Sequence, residues 1–455
     1  MTNLEFPHGL LSRSAHELLN DTIRIEPVDS GHLVATEISL QRDFDVFSLL
    51  NHDREQWQIY WKAKQERSAV LALGAAMSIA TQEPALAFER IRSLGLGGHR
   101  FYGGLPFDFR RADSQLWHSL GCTKFILPAV ELRHDGDTCV MTLRALLQGS
   151  TNSRNVAEAL TQALKANLSV AASAYSSPQK PKVLDEPDFL AWQEMTGEAA
   201  ALIAEGRATK IVLSRTKTLD WTDQTREVGL PWLMAGLARI EEPSFHFCFV
   251  SPGRQAFLGR SPERLIRWCG RQYEVDALAG TRGRGVNPAE DEASGEELRS
   301  SRKEKHEHRV VTEDVQALLA RHSDSVKVTH DEDLYKLRHV QHMVSRFSGQ
   351  AIEGVSGEDL LVAMHPTPAV GGRPRDDAID FISRREAVPR GWFAGAVGWT
   401  DGQDGDFAIG IRTALLSAKK LRLFAGAGIV EGSDPLQEWV ETEAKMGNFL
   451  ELFGL

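Results

Sequence analysis

Phe424-Ala-Gly-Ala-Gly-Ile-Val-Glu-Gly-Ser-Asp-Pro-Leu-Gln-Glu438-Trp-Val-Glu441-Thr-Glu-Ala-Lys445 joins an apolar, glycine-punctuated run to a helical pattern near the end of a 455-residue chain. Ser433-Asp434-Pro435 reads as a helix start with proline near the first turn. Glu438 and Glu441 are spaced i,i+3, and Glu441 and Lys445 i,i+4, so all three project from one helix face. Two readings stand at this point. The face is either solvated, with one helical salt bridge, or an acidic, lysine-flanked surface that holds a cation and an anionic ligand beside a glycine-lined strand end. The remainder of the chain decides between them.

Immediately upstream, Gly391 to Trp399, Phe407 to Leu416 and Leu421 to Val430 read as strands. Arg412 lies inside the second of these apolar runs, where an arginine is either paired in the core or grips a ligand carboxylate in bidentate fashion. Further back come helical patterns over Asp376 to Arg384, Gly357 to Met364 and Arg299 to Ala320, with strands over Ser325 to Thr329 and His339 to Phe347. Phe245 to Val250 with Gln255 to Leu258, and Leu265 to Cys269 with Tyr273 to Ala277, have hairpin spacing and predict antiparallel pairs. Lys210 to Ser214 is a strand whose alternation places Lys210, Val212 and Ser214 on one face. Phe189 to Glu205 and Val156 to Val170 are helical. Runs of strands interrupted by separate helices predict an α+β fold with a large, mostly antiparallel sheet core.

The segment 173–187 collects Ser, Pro, Lys and Asp and is the most linker-like in the chain; it separates residues 1–172 from 188–455. The composition, 42% hydrophobic and 25% charged, is that of a globular protein, and the formal charge of −10 argues against a general nucleic-acid binder. Cys122, Cys139, Cys248 and Cys269 form no CxxC pair. The longest uncharged stretch, near Ala69 to Gln82, is shorter than the about 20 apolar residues a membrane span needs. No signal peptide is read at the start of the chain. A soluble cytoplasmic protein with no nucleic-acid or membrane partner is expected.

Five stretches carry possible chemistry. Ser261-Pro-Glu263 sets a carboxylate at a turn between strands, where a solvated residue is the plainer reading. Ala277-Leu-Ala-Gly280-Thr-Arg-Gly-Arg-Gly285 is glycine-rich but is neither a GxGxxG fingerprint nor a P-loop. Glu304 and Glu307 repeat the i,i+3 spacing of Glu438 and Glu441. Their neighbours His306 and His308 raise zinc and a hydrolase, whereas two carboxylate pairs suit a hard cation such as Mg²⁺. His365-Pro-Thr-Pro-Ala-Val-Gly-Gly372 leaves a helix through a turn, and Arg412 is the fifth.

In this order and spacing the stretches resemble the chorismate-binding enzymes, which comprise isochorismate, salicylate, anthranilate and aminodeoxychorismate synthases. SPERL, LAGTxxRG, the ExxEH of Glu304 to His308, HPTPAVGG, RGWFAGAVGW and AGAGIVxxSxPxxExxETxxK fall in family order between about Ala201 and Leu455. Singly each motif is weak; six in register are specific. The resemblance implies one integrated α+β globule in which layered antiparallel sheets are wrapped by helices.

It also implies roles. Glu307 and Glu441 correspond to direct Mg²⁺ ligands, and Glu304 and Glu438 to ligands acting through water. Two carboxylates about 4 Å apart repel by ~4 kcal/mol at an effective dielectric of about 20, so a cation has a reason to be there. Arg412 and Lys445, with backbone near Gly426, correspond to the grip on the enolpyruvyl carboxylate of chorismate. Gly280, His342 and Ala369 match further substrate-pocket positions. Lys210 corresponds to the general base that activates water and Glu263 to the general acid that protonates the departing hydroxyl, which requires a pocket that keeps its carboxyl protonated.

Differences within the family narrow the expectation. Aminodeoxychorismate synthases carry a lysine where this chain has Ala279, anthranilate synthases generally lack Lys210, and ammonia users carry Thr-x-Ser-Gly in place of Ala369-Val-Gly-Gly372. Water is the expected nucleophile, with no glutamine amidotransferase partner. The resemblance is greatest to isochorismate synthases of the menaquinone or salicylate pathways. Salicylate synthase, which adds pyruvate elimination, is the alternative, followed by a non-catalytic chorismate or dicarboxylate binder.

Overall fold

The strand Phe245–Val250 sorts its side chains between two cores. Phe245, Phe247 and Phe249 enter one apolar cluster, while Cys248 and Val250 enter another on the opposite face. This period-two alternation is that of a sheet buried on both sides. The computed structural model describes residues 23–455 apart from 30, 41–44, 52, 112–113, 136–137, 169–177 and 227. Among the described residues, antiparallel pairs build one sheet of thirteen strands and a second of nine.

The first core lies between the two sheets. There Phe249 and Phe257 of the larger sheet meet the Trp392 ring edge-on at 5.4 and 6.2 Å. The second core is covered by helices: Val156, Leu160 and Leu164 from Ser153–Leu168, Leu233 and Leu237 from Leu230–Ala238, and Phe449 from Pro435–Leu450. Both halves of the chain contribute to both sheets. Gln58–Lys62 pairs with Phe245–Val250 in the larger, and Phe101–Leu105 with Ala396–Thr400 in the smaller. Among the described residues no helix is long and apolar enough to cross a membrane.

The two hairpins form as their spacing predicts. Four local expectations change. The run Phe407 to Leu416 is not one strand: Asp404–Ile409 belongs to the smaller sheet and Thr413–Ser417 to the larger. Arg412 sits at the crossing with φ of 55°, so it is not a strand residue. The helix expected over Arg299 to Ala320 forms as Arg302–His322, and a separate helix that was not expected, Pro288–Ser300, precedes it. Ser301 breaks them in extended backbone, and its hydroxyl accepts from Glu304 N at 3.3 Å as the cap of the second. The strand expected from Gly391 starts only at Ala396, because Gly391 and Ala394 turn with positive φ. Within the linker-like segment, residues 173–177 lie outside the described residues, while Lys182–Glu186 is a strand paired with Thr216–Asp220.

Candidate active site

Two strand pairs bring the motifs together. In the larger sheet, Lys210–Asp220 pairs with Lys420–Ile429 so that Val212 faces Gly428 and Ser214 faces Gly426. In the smaller, Gln272–Gly283 pairs with Val340–Ala351, and the register slips between Ala279 and Thr281. Gly280 is the extra residue of that bulge, with φ of 73°, and a Cβ there would stand 2.8 Å from Met343 Cε. The helix Arg302–His322 packs on the second pair and Pro435–Leu450 on the first. Asp434 caps the latter helix, accepting from Gln437 N at 2.9 Å, with Pro435 at its first position.

One pocket opens between these elements. Glu263, Gly280, Glu307, His342, Ala369, Arg412, Gly426 and Lys445 all line it, and Lys210 lies just behind the wall, paired with Glu307. Thr281 is shared with an adjoining cleft lined by Lys303, Glu438 and Glu441. Glu304 lies beneath, its Oε2 accepting from Thr281 N at 3.0 Å. Segments separated by more than two hundred residues therefore converge as the motif order implied.

Lys210 is fully buried, and its Nζ stands 2.9 Å from Glu307 Oε1. It is thus not the edge or snorkelling residue that a lysine in a strand usually is. Burial pushes the Glu307 carboxyl up, but Lys210, Lys445 and Lys303 together hold it below the usual glutamate range. Gly428 gives this ion pair its room: a Cβ there would lie 2.2 Å from Glu307 Oε1 and 2.8 Å from Lys210 Cε, so one of the two side chains would have to shift. Gly428 also lines the pocket. Gly426 offers its carbonyl to Lys445 Nζ at 2.9 Å, and the same ammonium pairs with Glu441 Oε1 at 2.6 Å.

Glu263 is buried at the turn between Gln255–Ser261 and Arg264–Cys269, not solvated. Burial raises its pKa to about 8, against a hydrogen bond from Leu278 N at 3.3 Å, so the carboxyl carries a proton at neutral pH. Arg412 donates through Nη2 to His342 Nε2 at 2.9 Å. Because guanidinium can only donate, Nε2 must accept and the imidazole proton resides on Nδ1, facing Thr281 Oγ1 at 3.1 Å and the Gly280 carbonyl at 3.3 Å. Burial and Arg412 keep His342 neutral, while burial lowers Arg412 to about 10, leaving it cationic. The pocket thus presents two fixed cations, Arg412 and Lys445, beside an apolar wall that includes Val212, Phe393 and Phe424.

The carboxylate cluster has the donor chemistry for a hard cation. Glu304 is raised by burial and by Glu307, and Glu438 is pushed up to about 7 by burial and by Glu441, so the four glutamates act on one another. Glu304 Oε1 is buried without a hydrogen-bond partner. Lysines compensate part of this charge: Lys303 Nζ lies 2.6 Å from Glu438 Oε1 and 3.8 Å from Glu304 Oε1. Among the described residues, no group of three or more His, Cys, Asp or Glu is arranged to hold a metal ion. The carboxylates match Mg²⁺ in donor type only; here Lys210, Lys303 and Lys445 pair with Glu307, Glu438 and Glu441, and Glu304 lies beside Lys303 and Arg282. Zinc held by His306 and His308 does not fit, because His306 is exposed whereas His308 is buried and bonded to Ser345 Oγ at 2.9 Å.

Sequence reasoning missed two parts of the site. Arg390, the first residue of RGWFAGAVGW, is buried against Glu386 and donates to the carbonyls of Val370 and Val212, both at 2.7 Å. It ties the Ala369 segment to the Lys210 strand. Lys64 and Asp276 form a buried ion pair beneath the Glu263 turn, and nothing in their local sequence signals it.

The family model described as chorismate binding enzyme matches residues 24–454. The salicylate biosynthesis isochorismate synthase of Pseudomonas aeruginosa is 31% identical over 417 residues, covering 88% of this chain and 85% of that protein. Isochorismate synthase MenF of Bacillus subtilis is 32% identical over 358 residues, covering 78% of this chain and 75% of its own length. The solved structure of MenF, the menaquinone-specific isochorismate synthase from Escherichia coli, superposes with a TM-score of 0.81 at 28% identity, covering 96% and 97% of the two chains. Anthranilate synthase component I from Streptococcus pneumoniae, at 21% identity and a TM-score of 0.65, shares the fold. With the family match running nearly end to end and the motifs gathered at one pocket, this chain belongs to the chorismate-binding enzyme family.

Proposed function

We propose that the protein is an isochorismate synthase, reversibly converting chorismate to isochorismate by adding water at C2 with loss of the C4 hydroxyl. The observation that carries this reading is the approach of Lys210 and Glu263 at one pocket: a buried amine paired with the pocket-lining Glu307 and close enough for its charge to act on Glu263, and a buried carboxyl in the pocket wall that keeps its proton at neutral pH. Lys210 takes a proton from the attacking water, and Glu263 gives one to the departing hydroxyl, which leaves as water. One water enters and one leaves, so the product is an isomer. Arg412 and Lys445 orient the enolpyruvyl carboxylate, and the apolar wall with Phe393 and Phe424 excludes bulk water.

Mg²⁺, held directly by Glu307 and Glu441 and through water by Glu304 and Glu438, would supply positive charge to the ring carboxylate and to Glu307 in place of Lys210. No amide donor is needed, so no glutamine amidotransferase partner is proposed. A cytoplasmic setting accords with the reading.

Incubation with chorismate and Mg²⁺, with products resolved by chromatography, tests the proposal. Isochorismate in equilibrium with chorismate is expected. Salicylate with pyruvate, and no isochorismate at early times, would transfer the protein to the salicylate synthases. Tight chorismate binding without any turnover would leave a non-catalytic binder.

A further inference from the structure

The turn that presents Glu263 is gripped by a side chain from the first half of the chain, where the sequence carries no recognisable chemical motif. Lys64, two residues beyond the strand Gln58–Lys62, is only 4% exposed. Its Nζ donates to the Pro262 carbonyl at 3.2 Å and is ion-paired with Asp276 Oδ2. The same Asp276 oxygen accepts from Arg264 N at 3.3 Å. The residues immediately before and after Glu263 are therefore both held by the Lys64–Asp276 pair. Leu278, two residues beyond Asp276 on the same strand, supplies the amide that reaches Glu263 Oε1.

We propose that Lys64 is a positioning residue for Glu263: with Asp276 it fixes the backbone on both sides of the carboxyl, and it supplies the countercharge to Asp276. This rests on Glu263 being the proton donor. The charges facing Glu263 are Asp276, which opposes its ionisation, and Lys210 and Lys64, which favour it. Around Lys64 stand Asp276, Arg264 and Arg346, with the Phe245 and Tyr335 rings 5.9 and 5.5 Å from Nζ. Arg264 is committed to Asp406 at 2.9 Å, and Arg346 Nε lies 3.6 Å from Asp276 Oδ1. Lys64 is thus the only one of these three cations that also holds the backbone beside Glu263. Without it Asp276 loses its nearest countercharge, Glu263 holds its proton more tightly, and the turn loses a donor.

The test is the pH dependence of chorismate turnover, paired with infrared carboxyl spectra of the resting protein taken as a difference against Glu263→Gln in the same background. Lys64→Met is expected to lower kcat about tenfold with KM changed less than about threefold, and to move Glu263 ionisation and the alkaline limb upward by about half to one pH unit. Lys64→Arg is expected to restore most of both. Lys64→Met with Asp276→Asn removes both buried charges, which keeps the test open where the single variant fails to fold. In that double variant ionisation returns toward wild type while kcat stays low, because Pro262 still lacks its donor. A folded Lys64 variant in which both the ionisation and the kcat match wild type overturns the proposal. If Glu263→Gln retains full turnover, the acid assignment itself fails, and the infrared shift still decides whether Lys64 acts on Glu263.

Discussion

Lys210 Nζ stands 2.9 Å from Glu307 Oε1, so the strand of one sheet and the helix packed on the other are tied together by a buried ion pair. Gly428 lies against both. Gly428→Ala forces its methyl into the Glu307 carboxylate, and the ion pair must part or tilt. Because a misplacement of about 1 Å at reacting groups costs about 100-fold, kcat is expected to fall by about that factor. Stopped assays and thermal melts on the same preparation separate this from unfolding; an active Gly428→Ala protein would contradict the close packing.

Lys210→Ala should keep chorismate binding and lose turnover, because the proposed base is removed while Arg412 and Lys445, proposed to grip the carboxylate, remain. Calorimetric titration beside a turnover assay measures the two separately. Wild-type kcat in this variant removes Lys210 as the base.

Glu263, at about 8, gives a pH signature of definite sign. Turnover should decline as the pH rises through about 8, since the proposed proton donor is then lost. The folded protein holds a proton that the unfolded chain has already released above its ordinary value of 4.5, so this group's contribution to stability decreases with rising pH from there to about 8. Glu263→Gln should therefore flatten the fall in melting temperature between pH 5 and 8, read against wild type in the same buffers; parallel curves would count against a protonated Glu263.

Lys303 occupies the charge that a cation would take, 2.6 Å from Glu438 Oε1. Lys303→Met should tighten Mg²⁺ binding by about tenfold in the absence of substrate, as competition between the two positive charges is relieved. The same change should lower the melting temperature of the metal-free protein. Isothermal calorimetry with Mg²⁺ alone checks the affinity, and weaker binding in the variant would show that Lys303 supports the site.

Arg390 and Glu386 are both buried, and their paired oxygens and nitrogens also serve Ser214 N and the Val212 and Val370 carbonyls. Arg390→Met leaves Glu386 without a countercharge, which destabilises by about 3–5 kcal/mol. Adding Glu386→Met should recover much of that loss in denaturant unfolding, although the Ala369 segment stays loosened. Additive losses would mean the pair is not coupled.

Local order was legible in the sequence because it is set within a few residues. The helix start at Ser433-Asp434-Pro435, the i,i+3 and i,i+4 spacing of Glu438, Glu441 and Lys445, and both hairpins form as read. The motifs in order also carried the family and named eight residues that line the pocket. Tertiary structure alone decided the rest. An apolar run such as Phe407 to Leu416 looks continuous to any pattern, yet it crosses from one sheet to the other at Arg412, since only the packing of the two sheets determines where a chain must turn. Lys64 and Asp276 lie more than two hundred residues apart and share no local signal; burial in one place makes them a pair. Glu438, Glu441 and Lys445, indistinguishable from a solvated helix face by spacing, became part of a charged site only when Glu304, Glu307 and Lys303 from another helix were folded against them. Spacing fixes which side chains share a face, whereas the electrostatic character of that face depends on what the fold places opposite it.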